Sequence, residues 1–168
     1  TKISERFIEQ NNGSLRDCNR FIDKLNQGAV YIRMTPDSQR DWPISFSKNA
    51  LLPTFLAMAE YEPEQWEMVK TGRRFDHVFD FAKENDKFME FLDRSIMGGG
   101  GYVEKGGEPT DIIRKEYVED VCAEIFLDGY DDPRLIRSRK MLSTWGSFDK
   151  KTLRTLSFPE NVIAEIDD

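Results

Sequence analysis

The sequence predicts a mainly α-helical protein, a compact multi-helix domain with a minor two-stranded β element near residues 29–47. Three observations carry this expectation. Apolar residues recur every three or four positions over most of the chain. Helix-start residues (Ser, Thr, Asp, Asn, Pro) precede these runs and glycines follow them. Only two short stretches, 29–34 and 44–47, have the β-branched and aromatic character of strands.

The elements follow in order. Ile3–Asn11 reads as a short helix on Ile3, Phe7 and Ile8, stopped by Asn12-Gly13. Ser14 and Asp17 form a weak capping box for a helix carrying Leu15, Cys18, Phe21, Ile22 and Leu25, closed by Gly28. Ala29–Met34 is the best strand candidate, and Ile44–Ser47 after Pro43 is the second. A helix is expected over Ala50–Tyr61 with Pro53 in its first turn, where no donor is missed. Pro63 opens another, Glu64–Thr71, ending at Gly72.

Arg73–Met97 has the strongest periodicity. Phe75, Val78, Phe79, Ala82, Met89, Leu92 and Ile96 share one arc, and Glu84-Asn85-Asp86 is the natural point at which the segment splits. The glycine-rich stretch 98–107 is expected to be a loop and the hinge between two subdomains of a single domain spanning residues 1–168. Pro109-Thr110-Asp111 starts a helix running to Leu127. Its inner face is Tyr117, Val118, Val121, Cys122 and Ile125, and its outer face is Glu116, Glu119 and Asp120. Asp132 as cap and Pro133 at the first helical position begin the next helix, which Gly146 ends. Phe148–Leu156 and a short helix from Pro159 complete the chain.

Charge is unevenly distributed. Residues 133–154 contain Arg134, Arg137, Arg139, Lys140, Lys150, Lys151 and Arg154 against one acid, Asp149, a local charge of +6 on a chain of −7. Such a block needs a counter-anion. Two destinations are open: a partner outside the molecule, or the acidic helix Glu116–Asp128 of the same chain. These seven cations are the candidate anion-binding or partner-binding residues. Trp145 and Phe148 within the block suit stacking on bases, although Trp145 falls on the apolar arc of its helix.

The remaining motifs are incomplete. Asp128, Asp131 and Asp132 gather carboxylates in one turn, but position twelve of an EF-hand counted from Asp128 is Arg139 rather than Glu. The glycine-rich stretch lacks the Gly-Lys-Ser/Thr ending of a P-loop, since Lys105 precedes Gly106. His77 is the one histidine, and Cys18 and Cys122 sit on apolar faces where Cys acts as a small hydrophobe. No catalytic residue, metal ligand or cofactor is therefore assigned. Two distant cysteines and the lack of a long apolar run predict an intracellular, cytoplasmic protein without a membrane span.

The expected function is non-enzymatic: protein–protein interaction or self-association through charge-polarised surfaces. Assembly factors, small structural subunits of viral or phage particles, and immunity or inhibitor proteins fit that description. The alternatives are single-stranded RNA or DNA binding through segment 134–154, and an enzyme using a carboxylate-bound divalent ion.

Overall fold

A computed structural model of the protein describes residues 2–13, 19, 23, 42–99, 101–127 and 131–142. The helices are α1 (Lys2–Gln10), α2 (Trp42–Phe46), a π-helical turn (Ser47–Leu51), α3 (Leu52–Tyr61), α4 (Pro63–Lys70), α5 (Phe75–Ala82), α6 (Asp86–Gly99), α7 (Asp111–Phe126) and α8 (Pro133–Leu142). No strand occurs among the described residues. Of the expected helix after Ser14 only residues 19 and 23 are described, both helical, and the strand candidate 29–34 and everything beyond residue 142 lie outside the described residues.

The second strand candidate is corrected: Trp42–Phe46 is helical, and the π turn follows directly. The reason is local. Pro43 suits a first helical turn, having no donor to lose there. The buried Ser47 hydroxyl donates to the Pro43 carbonyl 2.7 Å away, one turn back along the helix.

Helix boundaries follow the capping chemistry. Thr110 Oγ1 accepts the Ile113 amide at 3.3 Å and starts α7. Asp132 accepts the Arg134 amide at 3.0 Å and starts α8. Asn85 divides α5 from α6 by accepting the Phe88 amide at 3.0 Å, while its own amide donates to the Ile3 carbonyl at 2.9 Å. One buried residue thus caps α6 and ties α1 to it. Helix α4 ends in a Schellman motif: Arg73 N–H reaches Met68 O at 2.8 Å and Gly72 N–H reaches Val69 O at 3.0 Å. Gly72 sits at φ +86°, a conformation glycine adopts without steric cost.

The core draws on both sides of the glycine-rich stretch. Phe46 is fully buried and touches the rings of Phe88, Phe91 and Tyr117. A second aromatic group joins Phe55, Trp66, Phe75 and Phe126. Gly98 and Gly99 belong to the end of α6. Beyond them Tyr102 stacks edge-on against Tyr117, ring centroids 5.1 Å apart, which fastens this part of the connection to α7.

Candidate functional site

The seam between α7 and α8 is polar as well as apolar. Glu116, Asp120 and Glu124 recur every four residues, so they form one ridge of α7. Helix α8 lies along that ridge. Arg137 Nη2 is 3.1 Å from Glu116 Oε2, and its Nε is 3.8 Å from Asp120 Oδ1. The Ser138 hydroxyl donates to Glu124 Oε1 at 2.6 Å, and its oxygen lies 3.0 Å from the Leu135 carbonyl. The Tyr102 hydroxyl donates to Asp120 Oδ2 at 2.6 Å. Asp120 is only 4 % exposed, so the outer face expected for it is in fact covered by α8 and the 101–110 connection.

A cleft of about 340 Å³ opens where the start of α5 meets this seam. Arg74, Phe75 and Asp76 line one side, Glu119 and Asp120 the second, Arg134 and Arg137 the third. Arg74 turns the chain into α5 at φ +57°, a left-handed conformation unusual for a residue with a Cβ. Its guanidinium lies 3.3 Å from Asp76 Oδ1.

Arg134 is a clamp. It contacts Asp132 Oδ2 at 3.0 Å, donates to the Gly72 carbonyl, and lies over the Phe75 ring at 5.4 Å from the centroid. The planar guanidinium makes all three contacts compatible. The result fixes the start of α8 against the α4–α5 turn. Its hydrogen bonds hold the Asp132 carboxyl below the usual range.

The structure therefore places the seven sequence-derived cations differently. Arg134 and Arg137 come together in the cleft, and each meets carboxylates of its own chain. Arg139 and Lys140 lie in the last turn of α8, where positive charge complements the helix dipole. Lys150, Lys151 and Arg154, like Trp145 and Phe148, lie outside the described residues. Arg74, Phe75, Asp76, Glu119 and Asp120 were not singled out from sequence. For Asp120 the four-residue acidic repeat of α7 was the available signal, and it is readable only once α8 is known to lie on it.

Burial shapes the acids of the site. It pushes the Asp120 carboxyl up to about 6; the Tyr102 hydrogen bond and Arg137 pull it down, while Glu116 and Glu124 push it up further. Burial also lifts Glu119, and the nearby Asp76 and Asp120 charges add to the effect against Lys115 and Arg137. Tyr102 is raised by burial and by Asp120. Desolvation penalises each ionised form.

Other chemistry-bearing groups lie apart from the cleft lining. Cys122 is fully buried and burial raises its thiol, which makes it a packing residue. His77 Nε2 sits 2.7 Å from Glu62 Oε2 and is partly buried. Among the described residues, no group of three or more His, Cys, Asp or Glu is placed to hold a metal ion, and no helix is long and apolar enough to cross a membrane. Compared with known proteins, the chain matches no family model, no curated protein and no solved structure.

Proposed function

We propose that the protein acts by protein–protein contact without chemistry of its own, and that the α5–α7–α8 cleft is where a partner chain docks. The observation that supports this reading is the lining of the cleft. Three arginines, three carboxylates and an aromatic ring surround one opening. Charges of both signs around one opening suit a specific protein partner, with charge setting register. A phosphate backbone suits it less, because Asp76, Glu119 and Asp120 repel phosphate in the same space where the arginines attract it.

Light scattering across a salt series, together with cross-linking in the native source, tests the reading. A defined oligomer or complex is expected, weakening as salt rises, and weakened again by Glu119→Lys in a variant whose circular-dichroism melting is unchanged. A monomer at every salt concentration with no cross-linked partner overturns it. So does retention of single-stranded oligonucleotides on a filter at low salt that is lost when Arg137 and Lys140 are both changed to Glu.

A further inference from the structure

The connection between α6 and α7 meets the α7–α8 seam at Asp120, a residue that also lines the cleft. Residues 101–110 carry neither helix nor strand, and Glu104, Lys105, Gly106 and Glu108 are exposed. Tyr102 and Val103 are the side chains of this stretch that pack against the core. The chain turns back at Gly106, φ +84°, where Gly107 N–H reaches the Glu104 carbonyl at 2.8 Å. Nothing stands within 4 Å of the point where a Gly106 side chain would begin. Between its ends the stretch rests on α7 through the Tyr102 ring, 5.1 Å from that of Tyr117, and through the Tyr102 hydroxyl, 2.6 Å from Asp120 Oδ2.

We propose that residues 101–110 form a strap, latched by Tyr102 on Asp120, which lifts from α7 when Asp120 ionises. Local opening draws on the parts of a fold with little buried apolar contact and exposed backbone. The strap has both traits, whereas Tyr117, Val118 and Val121 beneath it are fully buried. Asp120 and Arg137 meet at the latch, and both line the cleft. Lifting Tyr102 uncovers Asp120 and so alters the wall that a partner meets. That consequence rests on the docking reading above; the strap itself rests on the geometry of the connection.

Two effects of the latch oppose each other. A phenol donates more strongly to a carboxylate than to a neutral carboxyl group, which favours the ionised acid under the shut strap. Burial favours the protonated acid and is the larger effect, since it holds the Asp120 carboxyl at about 6 rather than 3.8. Water reaching Asp120 in the lifted form returns it towards its ordinary range. The shut form therefore binds the proton more tightly. It is favoured below about pH 6 and gives way to the lifted form as pH rises through that value. The groups facing Asp120 are Tyr102 on the strap, Glu116 and Glu124 on α7, and Arg137 on α8. Tyr117 faces Tyr102, and Asp76 of α5 and Lys115 of α7 act on the neighbouring Glu119.

The experiment is NMR relaxation of the full isotope-labelled chain over a pH series from 5 to 7.5, read at the amides of Val103, Glu104, Lys105 and Gly106. The Asp120 side-chain carboxyl carbon shift is followed in the same samples. The strap amides are expected to have order parameters of about 0.85 at pH 5, as in a rigid backbone, and to fall below about 0.6 at pH 7.5. The fall should share its midpoint with the Asp120 carboxyl shift. Asp120→Asn keeps an acceptor for Tyr102 without a charge, so its strap should stay ordered at both ends of the series. Tyr102→Phe keeps the ring and loses the latch, so its strap should already be mobile at pH 5. Parent-chain order parameters that do not change with pH overturn the strap, and so does a midpoint that differs from that of the Asp120 carboxyl; neither result needs a variant to fold. A pH-dependent fall that persists in Asp120→Asn, or a Tyr102→Phe strap as ordered as the parent at pH 5, overturns it as well. The docking reading is decided apart from these outcomes, by light scattering.

Discussion

Two regions of this protein bury polar groups by opposite means. Around Phe46 and Phe88 the polar groups are neutral: Ser47 donates to Pro43 and Thr54 to Ala50, each one turn back along its helix, while Asn85 reaches Ile3 across the α1–α6 junction. Along the α7–α8 seam the buried polar groups are carboxylates, met by side chains from elsewhere: Tyr102, Arg137 and Ser138. A neutral group that bonds to a carbonyl one turn away brings its partner with the helix. A buried carboxylate depends on separate elements arriving in register, and its energy varies with pH. The first region is built for rigidity, while the second sets charges of both signs beside an opening.

The largest expected effect breaks the aromatic region. Phe46→Ala removes a fully buried ring that touches three others. A loss of ~3–5 kcal/mol is expected, as for large-to-small aromatic changes in cores. Urea unfolding followed by circular dichroism should show a lower midpoint at an unchanged slope. That loss should be the same at pH 5 and pH 8. A strongly pH-dependent loss would mean that the two regions are not energetically separate.

The next effect addresses the seam through pH. Asp120 has an ordinary value of 3.8 when unfolded and about 6 when folded. Between those values the folded chain holds the extra proton. Its contribution is therefore fully present below about pH 4 and is lost as pH rises through about 6. A displacement of roughly two pH units corresponds to ~3 kcal/mol at most. In Asp120→Asn the slope of stability against pH across this window should flatten towards zero for this site. An unchanged slope would remove Asp120 as the group responsible.

The same contrast explains what could be read from sequence. The helices with a one-sided apolar arc were legible: Phe75, Val78, Phe79 and Ala82 are all buried as the spacing demands. So were the stops at Gly72 and Asn85, because capping depends on neighbours in the chain. Ile44–Phe46 misled because a short apolar run has no period of its own, and Pro43 with Ser47 decides it. The cleft was only partly legible. Arg134 and Arg137 stood out by charge, whereas Glu119 and Asp120 looked like a solvated face. Nothing in α7 alone says that a second helix and Tyr102 cover Asp120. The acidic helix had been one of two destinations for the basic block, and for Arg137 it is where the charge goes.

The smallest effect sharpens the seam without touching the cleft. Ser138→Ala deletes the hydroxyl that donates to Glu124, a residue with no exposed surface, while leaving the Tyr102–Asp120–Arg137 contacts in place. Losing one donor to a buried acid should cost ~1–3 kcal/mol. If the seam acts as one network, the loss should depart from additivity when Ser138→Ala is combined with Arg137→Gln, since residues sharing a network couple by ~0.5–3 kcal/mol. Additive losses in that double-mutant cycle would mean that Glu124 and Asp120 are met independently. The cleft would then be supported by Arg137 and Tyr102 alone.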